Sequence, residues 1–187
     1  MDTINGINTS ALVAYVEQVK ADASTGIVKF SVETDWKGGT QSVAKVSGWQ
    51  MGGKPIAKNF EIVADEPLEL LGKNEAPNPQ ELLLAALNAC LMVGYAATAA
   101  VFGVRLSKLQ IKASGELDLR GFLGIDESVK PGYDEVDYEV IIEGDGTPEQ
   151  FQKIHETVMK TSPNLWNVAK TINVKPKLTC RSTDRAV

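Results

Sequence analysis

NPQELLLAALNACLMVGYAATAAVFG, residues 78–103, is the stretch that decides the fold. Asn78 is a capping residue, Pro79 suits the first helical position, and Glu81 completes a capping box, so the pattern predicts a helix that starts here. No charged residue occurs over residues 82–104, and the glycine that ends the quoted stretch is a suitable terminator. We predict one helix of about 25 residues, roughly 37 Å long.

This helix is apolar on every face, which determines what must surround it. Its length satisfies the test for a membrane span, but it contains Asn88, Tyr95 and Thr98 and has no basic flanks. An all-apolar helix of a soluble protein must be covered by protein. Since one short chain offers limited cover, we predict a homodimer whose subunits share this helix, and no membrane partner.

The rest of the chain predicts a single α+β domain over residues 1–187, with antiparallel sheets packed on the central helix. A helical extension occupies about residues 1–25, where Ser10 is the expected N-cap of a helix over 10–22, and a strand meander occupies about 26–64. The predicted strands are residues 27–32, 41–49, 57–63, 109–119, 136–143 and 171–179. Further helices are predicted over residues 147–161 and from Ser162-Pro163.

Composition excludes several classes of function. The net charge is -5 and the basic residues are scattered, which argues against nucleic acid or an anionic membrane surface as a partner. The first residues lack a basic region followed by an apolar stretch, so we expect a cytoplasmic protein. Cys90 and Cys180 are too few for a disulfide framework and lack metal-binding spacing. We therefore predict free thiols, with no cofactor and no metal.

Cys90 is the main candidate for chemistry. The structural alternative is a small buried side chain, which is what most free cysteines are. Cys90 lies about three turns into the predicted helix, beyond the reach of the helix dipole, so a reactive thiolate there needs another positive group. No such group lies within two helical turns in the sequence. The residues alone favour the structural interpretation.

A resemblance changes that balance. Residues 77–90, PNPQELLLAALNAC, resemble the "NPEELLAAA.AAC" helix of the OsmC/Ohr family, whose cysteine is the peroxidatic thiol. Four further segments occur in the family's order: Asp65-Glu66-Pro67, residues 118–124, Pro131-Gly132-Tyr133 and Ser162-Pro163. The resemblance covers most of the chain after about residue 57. It implies an intertwined homodimer with thiol sites at the subunit interface, where organic hydroperoxides are reduced through a cysteine sulfenate.

Three departures from the family qualify this expectation, and the first concerns the resolving cysteine. That residue normally precedes a proline in the later helical turn, where this chain has Ser162. Cys180 is not a simple replacement, because it lies in a different segment. The resemblance thus implies at most a one-cysteine enzyme that uses an external thiol reductant.

The other departures concern charge. The family's activating arginine comes from the N-terminal strands, but the first arginine of this chain is Arg105. The glutamate that partners that arginine is replaced by Gln80, and the next residue, Glu81, is explained by the capping box. Lys37, Lys45 and Arg105 remain as cations that folding could bring to the thiol.

Two hypotheses follow for function. The chain is either a thiol peroxidase acting through Cys90, or a binding protein that holds a small apolar or thiol-containing ligand without turnover. His155, the only histidine, is expected to be a partly exposed or packed residue, with general-base help to Cys90 as the alternative. The tryptophans are expected in the core or in an interface beside an apolar pocket; they are Trp36, Trp49 and Trp166.

Overall fold

The computed structural model describes residues 3–181 and has the predicted α+β composition with antiparallel strands. The strands are β1 (Thr3–Ile4), β2 (Ile7–Asn8), β3 (Val28–Phe30), β4 (Glu33–Gly38), β5 (Gln41–Met51), β6 (Lys54–Ala64), β7 (Leu106–Gly115) and β8 (Val136–Gly144). The helices are α1 (Thr9–Ala21), α2 (Pro79–Val101), α3 (Leu119–Phe122), α4 (Pro148–Thr161) and α5 (Pro163–Ala169). Single 3-10 turns occupy Ala23–Gly26 and Leu68–Leu70.

The central helix α2 starts where the capping chemistry predicts. The Asn78 side chain accepts the Glu81 N–H at 2.8 Å, and the Glu81 carboxylate accepts the Asn78 N–H at 2.8 Å. The helix ends at Val101, and Gly103 acts as the predicted terminator, since it adopts a φ of 73° and turns the chain back. The Val104 N–H then bonds the Ala99 carbonyl at 2.9 Å.

One face of α2 forms the core. Four side chains spaced by four residues are at most 2 % exposed: Leu87, Leu91, Tyr95 and Ala99. They cluster with Ile111 of β7 and with Ile154 and Val158 of α4. A Cβ at Gly94 would lie 3.1 Å from a Val158 methyl group, so the glycine sets how closely α4 approaches α2.

The opposite face of α2 is uncovered in the single chain, where Val93 is 69 % exposed. By length and composition alone, α2 could cross a membrane. The core helix of a soluble protein passes the same test, and β7, α4 and α5 pack against one face of α2. The expectation that protein surrounds α2 is therefore met on one side by this chain.

The N-terminal sheet is organised around β5. Strand β6 pairs along one edge of β5, and β3 and β4 pair in succession along the other. The predicted single strand over residues 27–32 is wrong in extent, because regular pairing stops at Phe30 and resumes at Glu33. Strand β4 was not predicted because its sequence, ETDWKG, is mostly polar and lacks an apolar alternation.

This sheet leaves a large apolar surface exposed. Its exposed apolar side chains are Val28, Phe30, Val32, Trp36, Ile56, Phe60, Ile62 and Val63. The accessible surface of the chain is 13991 Å², against about 8,800 Å² for a compact monomer of this mass. Trp36 and Trp166, at 76 % and 64 % exposed, are not core residues of the chain.

The N-terminal extension is attached to the end of α2 through Asn5. Its side-chain amide donates to the Val104 carbonyl at 2.9 Å, and its side-chain oxygen accepts the Leu106 N–H at 2.9 Å. The predicted N-cap Ser10 is wrong: Asn8 caps α1, accepting the backbone N–H three residues later at 2.9 Å. The helix therefore starts at Thr9, one residue before the predicted start, because an asparagine side chain caps a helix as well as a serine does.

The predicted strand over residues 171–179 is wrong for the described chain, in which residues 171–181 have no regular secondary structure. Its apolar positions Ile172, Val174 and Leu178 are 53 to 85 % exposed. Pro176 removes a backbone donor, and neither β7 nor β8 pairs with this segment. An alternating pattern becomes a strand only where an edge is available for pairing.

Asp65 is a buried carboxylate that ties the loop before α2 to the N-terminal sheet. The side chain is 1 % exposed. One oxygen accepts from the Thr40 hydroxyl at 2.7 Å and from the Glu66 N–H at 2.9 Å, and the other accepts the Lys73 and Glu75 N–H groups at 3.1 and 3.3 Å. The Thr40 hydrogen bond, followed by the backbone N–H groups, lowers the pKa of Asp65.

We expect Asp65→Asn to lower the melting temperature at neutral pH, because a side-chain NH₂ cannot accept these hydrogen bonds. With a lowered folded pKa, the stability from this carboxylate is complete above about pH 4 and is lost as pH falls through that folded value. The difference in melting temperature should therefore shrink below pH 4 in thermal scans. Asp137→Asn, at an exposed position of β8, is the control. A constant difference at every pH would contradict this account.

Candidate functional site

Cys90 lies on α2, partly buried, and faces Ser162. The Cys90 Sγ and Ser162 Oγ atoms are 3.4 Å apart. Ser162 is 7 % exposed and sits between α4 and α5. Its N–H donates to the Val158 carbonyl at 2.9 Å at the end of α4, and its Oγ accepts the Leu165 N–H at 3.3 Å at the start of α5. The two cap interactions hold the serine against the cysteine.

Asn164 fixes α5 against α2 one turn from the cysteine. Its side-chain amide donates to the Ala86 carbonyl at 2.8 Å. Within α2, that carbonyl also faces the N–H of Cys90, four residues later. No sequence pattern indicates Asn164, because a polar residue in a short helix has no spacing that reports a contact with a distant carbonyl.

The contact with Ser162 determines which chemistry is available to the Cys90 sulfur. Because Leu165 donates to Ser162 Oγ, the hydroxyl proton remains available to point at Cys90 Sγ. A hydroxyl stabilises a thiolate as a neutral donor and cannot form a disulfide. The pair therefore supports one reactive thiol with no second thiol beside it.

Of the three cations predicted to approach the thiol, two pair with a carboxylate on the N-terminal sheet and the third lies beyond the end of α2. Lys37 and Lys45 lie 3.6 and 3.4 Å from the Asp35 carboxylate on the N-terminal sheet. The Lys45 hydrogen bond first, and then the charge of Lys37, lower the pKa of Asp35. Arg105 lies beyond the C-terminal end of α2, and that end is about 16 Å from Cys90 along the helix axis. Its side chain is exposed.

Gln80 and Glu81 lie at the opposite end of α2 from Arg105. Gln80 precedes Cys90 by about 15 Å along the helix axis. The Glu81 carboxylate is occupied by the capping box. Within one chain neither residue supports the thiol, although Gln80 lines a cavity at the start of the helix.

His155 is paired with Tyr95 and not with Cys90. The His155 Nδ1 and Tyr95 hydroxyl are 2.5 Å apart, and the rings are stacked. Tyr95 is 1 % exposed, and burial, with a smaller contribution from Tyr138, raises the pKa of Tyr95 to about 12. The position of His155 corresponds to the packed histidine and gives no support to a general-base role at Cys90.

We expect Tyr95→Phe to change the alkaline stability of the protein. A raised folded pKa means that Tyr95 stabilises the fold fully below about pH 10, and that up to about 3 kcal/mol is lost as pH rises towards 12. At pH 8 the variant should be less stable by about 1 kcal/mol, the value of one hydrogen bond. Urea unfolding near pH 11 should show the gap closed or reversed, with Tyr15→Phe as control. A parallel decline of both proteins would contradict the prediction.

Both cysteines are free thiols, and Cys180 is exposed. Within residues 3–181, no group of three or more His, Cys, Asp or Glu side chains is placed to hold a metal ion. Asn88, two residues before Cys90, has a buried side-chain oxygen that lacks a hydrogen-bond partner among the described residues.

Comparisons with known proteins identify the fold. A crystal structure of an OsmC-like protein from Mycoplasma pneumoniae is similar, with 17% identity and a TM-score of 0.59, over 75% of this chain and 87% of that chain. An OsmC-like protein of unknown function from Vibrio cholerae has 18% identity and a TM-score of 0.52, over 73% and 91%. At such identities the likeness shows a shared fold. No curated protein sequence matches.

The sequence itself supplies the family assignment. The family model described as OsmC-like protein matches residues 72–178, which is more than half of the chain and includes α2, Cys90 and Ser162. The part before residue 72 holds the N-terminal extension and the meander. The chain belongs to the OsmC family.

Proposed function

We propose that the protein reduces organic hydroperoxides through Cys90 as its single reactive cysteine, with electrons from an external thiol. The observation that carries the proposal is the 3.4 Å approach of Ser162 Oγ to Cys90 Sγ. Ser162 stands before Pro163, where the family resemblance places a resolving cysteine. The pairing of the two positions is kept, and the second sulfur is replaced by oxygen.

The proposed reaction has two stages. The Cys90 thiolate attacks the terminal oxygen of the hydroperoxide, so that an S–O bond forms, the O–O bond breaks, and the alkoxide leaves as an alcohol after taking a proton. An external thiol then attacks the sulfenic acid and releases water, and a second thiol releases Cys90 and forms the external disulfide. Ser162 donates a hydrogen bond to the thiolate in the first stage.

The direct test is peroxide consumption. Purified protein is mixed with cumene hydroperoxide and a dithiol, beside Cys90→Ser and Cys180→Ser variants. We expect the wild type and Cys180→Ser to consume peroxide and Cys90→Ser to match the background. Equal consumption by wild type and Cys90→Ser would refute the proposal.

A second candidate function is ligand binding without turnover. It is favoured by one observation, the engagement of Lys37 and Lys45 with Asp35, which leaves a neutral hydroxyl as the donor described at the sulfur. Such a protein would hold a small apolar or thiol-containing ligand. A sulfenate trapped at Cys90 without repeated peroxide consumption would distinguish it from the enzyme.

We also propose that the protein is a homodimer. The support is the surplus of accessible surface over a compact monomer, together with the uncovered face of α2 and the apolar side chains of the meander. A second copy would cover these faces. Light scattering at micromolar concentration should give twice the chain mass of 20.2 kDa, and a monomer mass would overturn the proposal.

A further inference from the structure

A stripe of α2 contacts the junction between α4 and α5. Its members are spaced by four residues and therefore lie on one face of the helix: Ala86, Cys90 and Gly94. The middle member faces Ser162 at the junction. The two outer members each meet a different helix, so Cys90 lies between two contacts that are made within one chain.

Gly94 provides the contact on the C-terminal side of the cysteine. A Cβ there would lie 3.1 Å from a methyl group of Val158, so the close approach of α4 to α2 requires a glycine. The Val158 carbonyl in turn accepts the Ser162 N–H at 2.9 Å. The backbone of Ser162 is therefore placed by α4.

Asn164 provides the contact on the N-terminal side. Its side-chain amide donates to the Ala86 carbonyl at 2.8 Å and so holds the first turn of α5 on α2. In the same turn, the Leu165 N–H donates to Ser162 Oγ at 3.3 Å. Because that bond selects the direction of the serine side chain, the position of α5 determines where the hydroxyl lies relative to the sulfur.

We propose that Asn164 is a positioning residue for Cys90. By holding α5 on α2, it keeps the Ser162 hydroxyl directed at the sulfur, 3.4 Å away. The inference rests on the proposed function, in which Ser162 donates to the Cys90 thiolate. The Asn164 amide is itself bonded to a backbone carbonyl, so its effect on the sulfur is exerted through Ser162.

The first test uses a disulfide as a measure of position. Ser162→Cys is combined with Cys180→Ser, so that positions 90 and 162 carry the only thiols, and the reduction potential of their disulfide is measured in glutathione buffers. Adding Asn164→Ala should make this disulfide about fivefold less stable and raise its potential by about 20 mV, because α5 is no longer held on α2. A general loss of stability does not move the potential when both redox forms are folded.

Asn167→Ala is the matched control, since Asn167 is an exposed asparagine of the same helix. It should leave the potential unchanged. An unchanged potential in a folded Asn164→Ala protein, or equal shifts from both variants, would refute the role of Asn164. Absence of any disulfide between positions 90 and 162 in the parent protein would refute both this role and the pairing on which the proposed function rests.

The second test uses the natural serine. Asn164→Ala and Ser162→Ala should each slow the reaction of Cys90 with cumene hydroperoxide by about threefold, and the double variant should be no slower than Ser162→Ala alone. Losses that multiply in the double variant would show that Asn164 acts by another route and would overturn the proposal. If the wild type does not reduce peroxide, the proposed function fails, and the reduction potential alone decides the role of Asn164.

Discussion

Ser162→Cys is expected to form a disulfide with Cys90 after one equivalent of organic hydroperoxide. Cys90 Sγ and Ser162 Oγ are 3.4 Å apart, and a disulfide bond of about 2.0 Å requires only a small rotation of the two side chains. Peroxide would oxidise Cys90, and the introduced thiol would then expel water from the sulfenic acid. With a dithiol present, turnover should rise by about tenfold or more, because an adjacent thiol acts at a high effective concentration.

The measurement is a thiol count followed by peptide mapping. Two thiols per chain should disappear on oxidation, and the linked peptides should carry positions 90 and 162. Ser162→Ala is the matched control, because it removes the same hydroxyl and supplies no thiol; it should form no such link. A link to Cys180 in its place, or no link at all, would show that the two positions are not paired in solution.

Leu91→Ala is expected to cause the largest loss of stability. Leu91 is fully buried in the cluster that joins α2 to β7 and α4. Truncating a leucine in such a core costs about 3–5 kcal/mol, which is a large share of the 5–15 kcal/mol typical of a folded domain. Leu91 is also the neighbour of Cys90, so loosening this turn should disturb the contact with Ser162.

Urea unfolding at fixed protein concentration would measure this loss. Leu71→Ala is matched in residue type, and Leu71 is 89 % exposed, so that variant should stay within about 0.5 kcal/mol of the wild type. A loss below about 1 kcal/mol for Leu91→Ala would contradict the assignment of this face of α2 as the core.

The start of α2 was predictable because its capping box involves residues three positions apart. The same holds for α4, where Thr147 and Gln150 repeat the pattern. The strand over residues 171–179 could not be judged in this way, because pairing depends on an edge supplied by another part of the molecule. Local chemistry is readable in a sequence, whereas pairing between distant segments is not.

The candidate site shows the same difference between local and distant interactions. The proximity of Ser162 to Cys90 followed from a family resemblance and not from any pattern of residues, since the two are 72 positions apart. His155 pairs with Tyr95, and Asp65 is buried, through contacts between residues far apart in the sequence. The spacing of neighbouring residues does not predict such contacts.

The most direct test of the central claim is to trap the sulfenic acid. The full chain would be treated with one equivalent of cumene hydroperoxide in the presence of dimedone, and its peptides analysed by mass spectrometry, beside Cys90→Ser and Cys180→Ser. We predict a dimedone adduct on the peptide that carries Cys90, unchanged in Cys180→Ser and absent from Cys90→Ser. An adduct confined to Cys180, or consumption of peroxide without any adduct at Cys90, would contradict the account.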